Sequence, residues 1–501
     1  MSRKEILVSA SFCALIHLFS DAAYLLLVPH QIRRMEDGSE KETLCIGLAC
    51  SECFSGPRLA KLLQAGFEYE RKVMEDLIIG NFASPLSIHT SGGVPEALSD
   101  FVEALEPHLP WKDASQDLDW CVSLQLEGAS AVWAAVDLVL QEAILSSGNK
   151  RRTLVAVGAT SYHGPPSTSA GAKSPMWTKN FQVKYPVPEA GKPLKVSELL
   201  NKFEEFLDRH GDDVGVILVE PQWGSSQAAF PWPKSLLKAY IEMAQARGIR
   251  VVADEIMCGL GRHGQGSLFI SKDWDLDPDA VTFGKAIGGG VYPISGAILK
   301  RGRDILCKNG HTVMQSHTYA GSSVRALMTA TEVLREIPMW LQSVTKLGQE
   351  MSNIFKYISK ISGGALITHG QGLMWGCLFS REGPLSDASV RSEALKVFRK
   401  RCDEVGVLPY IVPAGGFMVT PVVDIDVGTV YEIGEKLGNV VQLTMKEMGW
   451  KSPVEVTSSK TPPELVTEFP GLLKCQTYLH TTRSCTSCTK FVCPKVRTRF
   501  S

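Results

Sequence analysis

The chain has 501 residues, of which 44% are hydrophobic and 21% charged, a balance typical of globular proteins that excludes disorder throughout. Its 52 Lys and Arg against 53 Asp and Glu give a net charge of −1, without the basic excess of proteins that bind nucleic acids or anionic membranes by charge. The length allows about two to four domains. The thirteen cysteines, most of them single within apolar runs, favour reduced thiols in an intracellular protein over a disulfide framework.

Residues 1–35 form a hydrophobic N-terminal segment. A basic start precedes the apolar run Ile6–Pro29, which resembles a signal peptide or a membrane anchor. A charge within the run, Asp21, argues against a membrane-spanning helix, and the single arginine before Arg33 argues against a transit peptide. Core-packed helices are the alternative. We predict a cytoplasmic protein, with a mitochondrial location and membrane association left open by this segment.

The next region, residues 36–119, shows no recognisable motif, and we assign part of it to a small domain. From residue 120 to 337 strands alternate with helices, which predicts a doubly wound α/β domain with a mostly parallel sheet. The predicted strands are Cys121–Leu126, Thr153–Val157, Val214–Val219, Ile249–Ala253, Ala280–Phe283 and Ile294–Leu299. The predicted helices are Ala129–Ser146, a segment between Pro233 and Gly248, and Ser322–Arg335.

Residues 338–450 mix helical and strand patterns and predict a smaller C-terminal α+β domain. Residues 451–501 are rich in Ser, Thr, Pro and Lys, which predicts a disordered, cysteine-containing tail. Within this tail Cys485 and Cys488 have the spacing of metal ligands, but Cys493 does not complete a second spaced pair. We therefore predict no metal site.

The segment Gly259–Gly264 fits the dinucleotide-binding pattern G-x-G-x-x-G. That pattern requires a helix directly after the strand and an acidic residue about twenty positions further on. The segment offers neither, and we reject the nicotinamide interpretation.

Two strand ends carry complementary charges. Asp254 ends one predicted strand and Lys285 follows another, and ligands of open α/β sheets bind beyond the carboxyl ends of the strands. Lys285 lies among glycines, which allow a planar group to approach its amine. A partly desolvated lysine condenses with aldehydes, and pyridoxal phosphate uses such a lysine together with an acid on its ring nitrogen. The pair predicts a pyridoxal phosphate site.

The same region offers groups for the rest of this cofactor. Gly128, Ala129 and Ser130 lie where a strand turns into a helix, and free N–H groups at a helix N-terminus bind phosphate. Tyr162 and His163 follow another strand, and the tyrosine offers an aromatic face to the ring. Each residue alone has an ordinary structural explanation, such as an N-cap or core packing, but together they favour one site.

The run VVADEIMCGLGRHGQGSLF, followed by PDAVTFGKAIGGGVYPISGAIL, resembles the signature of the class-III pyridoxal-phosphate aminotransferases of fold type I. The resemblance extends from about Ser123 to Val423. It implies a large, mostly parallel α/β domain that binds the cofactor and a smaller α+β domain.

The resemblance also implies roles for single residues. Lys285 matches the lysine that forms the aldimine, and Asp254 the acid paired with the pyridine nitrogen. Thr318 matches a threonine that reaches the phosphate from the neighbouring subunit, which implies a homodimer. The other implied cofactor-binding residues are Gly128 and Ala129 in the phosphate turn, Tyr162 against the ring, Glu220 of the Glu-Pro motif, and Met257 near the ring hydroxyl, where many members have glutamine.

Two departures from the family pattern bear on substrate and cofactor. Many members bind the α-carboxylate of glutamate with an arginine near the last strands of the C-terminal domain, but this chain has no arginine between Arg401 and Arg483. The usual Ser-Gly-Ser-Glu-Ala run of the family reads Glu127-Gly128-Ala129-Ser130-Ala131 here, so one side-chain hydroxyl lies at a different position in the run.

We predict an aminotransferase that passes an amino group from an amino acid or ω-amine donor to an oxo acid. Two alternatives stay open. One is a decarboxylase, aminomutase or lyase with the same cofactor and fold. The other is a catalytically inactive subunit, suggested by the divergent N-terminal third.

Overall fold

The computed structural model describes residues 30–34, 40–47, 54–80, 96–112, 120–147, 152–164, 182–300 and 323–450. The predictions for the apolar run before residue 30, for Thr318 and for the tail with Cys485 and Cys488 lie outside the described residues.

A central sheet runs from residue 120 to residue 300 and has the strand order β3-β9-β8-β7-β6-β4-β5. Its strands are β3 (Trp120–Gln125), β4 (Leu154–Gly158), β5 (Gln182–Tyr185), β6 (Val214–Val219), β7 (Arg250–Asp254), β8 (Ala280–Phe283) and β9 (Ser295–Lys300). Strands β5, β4, β6, β7 and β8 pair in parallel, whereas β9 pairs antiparallel with both β8 and β3. The mostly parallel α/β fold predicted from the sequence is confirmed.

Helices cover this sheet and extend beyond it along the chain. They are α1 (Gly56–Ile78), α2 (Glu96–Leu105), α3 (Gly128–Ser147), α4 (Val196–His210), α5 (Lys234–Ala246), α6 (Ile270–Trp274), α7 (Val324–Glu336), α8 (Leu341–Ile361), α9 (Ala388–Val405) and α10 (Val427–Glu447). No helix among these described segments is long and apolar enough to cross a membrane.

Helix α3 is the centre of the core. It packs on β3, β6, β7, β8 and β9. The buried cluster joins its Val132, Val136 and Leu140 to Val216 and Val252 of the sheet. Burial on nearly every side explains why this helix has so few polar residues, since burying a Val or Leu side chain contributes roughly 1.5–3 kcal/mol.

Two smaller sheets lie outside the central one. Strands β10 (Leu366–Gln371), β11 (Met374–Phe379), β14 (Gly416–Val419) and β13 (Tyr410–Val412) form an antiparallel sheet in that order. Strands β1 (His30–Arg34) and β2 (Glu40–Cys45) form a hairpin, and β2 also pairs in parallel with β12 (Val407–Leu408). The early part of the chain therefore contacts its C-terminal part. The division into domains at residues 35, 119, 337 and 450 stays a prediction.

Candidate active site

Every candidate residue that the structure describes lies at or just after the carboxyl end of a strand, and these strands run in the same direction. Strand β3 is parallel to β8 because both pair antiparallel with β9. The carboxyl ends of β3, β4, β6, β7 and β8 therefore meet at one edge of the sheet. These ends carry, in that order, Gly128–Ser130, Tyr162 with His163, Glu220, Asp254 with Met257, and Lys285.

Asp254 is a buried carboxylate, 8% exposed, with both oxygens in hydrogen bonds. Its Oδ2 lies 2.8 Å from Nδ1 of His163, and its Oδ1 accepts from the Ile256 N–H at 3.2 Å and the Thr282 hydroxyl at 3.4 Å. Burial opposes protonation of His163, but the bond to Asp254 and the charges of Glu220 and Asp254 outweigh it and raise its pKa. His163 therefore donates to Asp254 and fixes the orientation of its carboxylate.

Glu220 connects strand β6 to the loop after β4. Its Oε1 accepts the backbone N–H of Tyr162 at 3.1 Å, and its Oε2 accepts that of Gly224 at 3.3 Å. Burial is the largest cause of the rise in the pKa of Glu220 to about 7. The charge of His163 lowers this pKa, and the charge of Asp254 raises it further. Because both of its oxygens accept backbone N–H groups, Glu220 fixes the loop that carries Tyr162. A contact between Glu220 and a cofactor stays a prediction.

The loop after β4 rests directly on the first turn of α3. Gly164 has φ +101°, and a Cβ placed there would lie 2.5 Å from the Cβ of Ala129. The indole N–H of Trp133 donates to the carbonyl of His163 at 3.1 Å. This packing holds His163 against Asp254 and leaves the Tyr162 side chain 54% exposed at the edge of the sheet.

The first turn of α3 presents unused donors. Among the described residues, no group accepts a hydrogen bond from the N–H groups of Gly128, Ala129 or Ser130. The following N–H, of Ala131, donates to the carbonyl of Glu127 at 3.0 Å. Free N–H groups at a helix N-terminus favour an anion. This turn can therefore hold a phosphate group, as the sequence predicts.

Lys285 begins a short 3₁₀ helix directly after β8. Its φ of +49° lies in the left-handed region, a conformation that costs about 1–3 kcal/mol in a residue with a Cβ and that clusters at functional sites. The side chain is half-buried, and no described residue accepts a hydrogen bond from its ammonium group. The amine is available for a ligand.

Three residues that the sequence analysis did not select support the site. Thr282 and Trp133 bond Asp254 and His163, and the side chain of Ile256 lies between two glycines. A Cβ on Gly128 would lie 2.8 Å from Ile256 Cγ2, and one on Gly284 3.1 Å from its Cδ1. Ile256 therefore joins the first turn of α3 to the segment before Lys285. The only sequence signal for it was its position two residues after Asp254.

Met257 packs against the turn at Gly224. Its Sδ would lie 2.7 Å from a Cβ placed on Gly224, so the thioether covers the turn that Glu220 closes. A thioether does not donate a hydrogen bond. Thus Met257 can pack against a ligand but cannot bond its hydroxyl as a donor.

The described residues together satisfy three requirements of pyridoxal phosphate. They supply N–H donors for the phosphate, a buried carboxylate for the ring nitrogen and an available amine for the aldehyde.

The chain belongs to the class-III aminotransferase family, whose model matches residues 84–419, more than half of its length. It is 28% identical over 257 residues to the mitochondrial acetylornithine aminotransferase of Candida glabrata, a match covering 50% of this chain and 57% of that protein. It is 26% identical over 279 residues to the mitochondrial ornithine aminotransferase of Arabidopsis thaliana, covering 54% and 53%. The matches thus span little more than half of these relatives.

The fold is also that of solved aminotransferases. A PMP-bound aminotransferase from Vibrio fluvialis superposes with a TM-score of 0.66 and 17% identity, over 84% of this chain and 92% of that one. This likeness establishes the type I fold of the pyridoxal-phosphate enzymes for this chain.

Proposed function

We propose that this protein is a pyridoxal-phosphate-dependent aminotransferase whose cofactor is bound by Lys285. The observation that carries the proposal is the placement of two groups on adjacent strands. Asp254 is in register with Thr282, three residues before Lys285, so the buried carboxylate and the available amine lie at neighbouring strand ends. Membership of the class-III family supports the same assignment.

The roles of the side chains follow from their contacts. Bound pyridoxal phosphate supplies an aldehyde that condenses with amines and a ring that withdraws electrons from the substrate carbon. Asp254 would pair with the ring nitrogen, and the hydrogen bond from His163 orients that carboxylate. Gly128, Ala129 and Ser130 would bind the phosphate through their N–H groups. The Nζ of Lys285 would hold the cofactor through its aldehyde and would move a proton at the substrate carbon.

The substrates we propose are an amino acid or ω-amine donor and an oxo-acid acceptor. No arginine lies between Arg401 and Arg483, so glutamate and 2-oxoglutarate lose the bidentate partner that many members provide. We therefore favour a donor whose binding does not require an arginine paired with its α-carboxylate.

The test is a donor screen on the purified protein with added pyridoxal phosphate. We expect the absorbance of the lysine-bound cofactor, and then stoichiometric pyridoxamine phosphate and a carbonyl product. Lys285→Ala should abolish both signals, whereas Lys346→Ala, an exposed lysine of α8, should leave them unchanged. Release of carbon dioxide or ammonia without pyridoxamine phosphate would support a decarboxylase or lyase instead. Absence of any lysine-bound cofactor would support a non-catalytic subunit.

The quaternary structure we propose is a homodimer in which Thr318 acts in the site of the neighbouring subunit. Three exposed apolar side chains of α1, which share their side of the helix with the Arg71–Glu75 ion pair, support it, because exposed apolar side chains grouped together mark interaction surfaces. Phe67 is 47% exposed, Met74 50% and Ile78 81%, and their spacing places them along one side of the helix.

The location we propose is the cytoplasm. The buried thiols Cys258, Cys377 and Cys402 support it, because thiols persist in a reducing compartment.

A further inference from the structure

Glu127 lies at the N-terminus of helix α3, beside the proposed phosphate position. Its carbonyl accepts the N–H of Ala131 at 3.0 Å, so Glu127 is the N-cap residue of the helix. Its Oε1 accepts the Ser130 hydroxyl at 3.4 Å, which places the carboxylate over the first helical turn. The side chain is exposed.

The carboxylate does not use the donors of the turn. Among the described residues, nothing accepts from the N–H groups of Gly128, Ala129 and Ser130, although Glu127 lies beside them. A phosphate that bound these donors would therefore share the turn with a like charge. The field of Glu127 also reaches the neighbouring loop, because it adds to burial and to Tyr410 in raising the pKa of Tyr162.

Other charges at this edge of the sheet do not cancel the effect. Asp254 and Glu220 are acidic, His163 bonds Asp254, and Lys285 is assigned to the aldehyde. Glu127 is thus the charged side chain closest in sequence to the proposed phosphate donors.

We propose that Glu127 determines how tightly the protein holds its cofactor, because its carboxylate repels the phosphate group that the first turn of α3 binds. The inference rests on the proposed function. A phosphate carries about −1.5 to −2 charges at neutral pH, and a carboxylate beside it in water weakens binding about tenfold.

The test is a pair of titrations on the full chain, followed by equilibrium dialysis. Glu127→Gln should bind pyridoxal phosphate about tenfold more tightly than the unmodified protein. The same substitution should leave the affinity for pyridoxal, which lacks the phosphate, unchanged. Glu103→Gln, an equal change of charge at an exposed position of α2, should alter neither affinity.

The outcomes separate this inference from the function on which it rests. Measurable but equal affinities of the unmodified protein and Glu127→Gln for pyridoxal phosphate would overturn the role of Glu127 and leave the aminotransferase proposal standing. An equal gain for pyridoxal would also overturn it, because the effect would then not depend on the phosphate. Failure of all variants to bind pyridoxal phosphate would overturn both proposals.

Discussion

At the scale of single residues, two buried glutamates each accept two backbone N–H groups, one beside the candidate site and the other at the start of helix α6. Glu220 accepts the N–H groups of Tyr162 and Gly224 next to the site. Glu255 accepts those of Ile270 and Ser271, at 2.7 and 2.8 Å, and begins helix α6. Burial raises the pKa of both to about 7. They form a matched pair in which only one member contacts the loop of the site.

We predict that Glu220→Gln and Glu255→Gln each lower the free energy of unfolding by about 1–3 kcal/mol, because an amide nitrogen replaces one of two acceptor oxygens. Only Glu220→Gln should also weaken the binding of pyridoxal phosphate, since it releases the Tyr162 N–H. Urea denaturation and a cofactor titration at about pH 8, where both carboxyls are ionised, measure the two effects. Equal loss of cofactor affinity in both variants would show that Glu220 acts only through stability.

The raised pKa values also set the sign of the pH dependence. An unfolded glutamate ionises near its ordinary pKa of 4.5, whereas Glu220 and Glu255 keep their protons to about 7. Their contribution to stability is fully present below about pH 4.5 and is lost as the pH rises through 7. Both variants should flatten this part of the stability profile, and an unchanged profile would contradict the assignment.

At the scale of elements, the site depends on one strand–loop–helix contact. The loop after β4 reaches α3 through the hydrogen bond between Trp133 and the His163 carbonyl and through the contact of Gly164 with Ala129. The loop conformation requires glycine at position 164 both because φ is positive and because no space exists for a Cβ. Packing of this loop therefore sets the position of His163.

We predict that Gly164→Ala destabilises the protein by more than its backbone strain. The left-handed conformation costs about 1–2 kcal/mol, and the clash with Ala129 adds about 1–3 kcal/mol. Gly80→Ala is the matched control, because Gly80 has φ +81° with no atom within 4 Å of the added Cβ. Thermal denaturation and cofactor titration should show a small loss of stability and normal binding for the control. Similar values for the two variants would argue against a close contact at Gly164.

At the scale of the whole molecule, distant parts of the chain lie together. Strand β2 pairs with β12, and the N–H of Thr420 donates to the carbonyl of Ile46 at 2.7 Å. Strand β2 thus lies beside the C-terminal strand β12, and α1 exposes the apolar side chains Phe67, Met74 and Ile78. These side chains and Thr318 motivate the prediction of a dimer with shared sites.

We predict that mixing two inactive variants restores activity. Lys285→Ala lacks the amine, and in the proposed dimer Thr318→Glu would place a negative charge against the phosphate of the neighbouring site. In a mixed dimer one site contains both normal residues, so random exchange of subunits should restore about a quarter of the activity. Light scattering measures the mass of the assembly and verifies the mixed dimer. The control is Lys346→Ala mixed with Lys285→Ala, in which one subunit keeps both Lys285 and Thr318. Failure of a verified mixed dimer to regain activity would contradict a shared site.

The local sequence was sufficient to predict the class of fold. Alternating apolar runs and punctuated helices predicted β6, β8, α3 and α5 within a few residues, because each pattern depends on neighbours in the chain. The order of glycines and charges around Asp254 and Lys285 indicated a pyridoxal phosphate site for the same reason.

Only the tertiary structure showed how these groups are held. His163 and Asp254 are 91 positions apart, and the N–H of Tyr162 reaches Glu220 across 58 positions. No periodicity encodes such contacts, because they depend on the order of strands in the sheet. The short edge strand β5 and the pairing of β2 with β12 escaped the sequence analysis since strand pairing joins partners far apart in the chain. The sequence by itself thus determined which chemical groups are present, and the packing of distant segments decided their geometry.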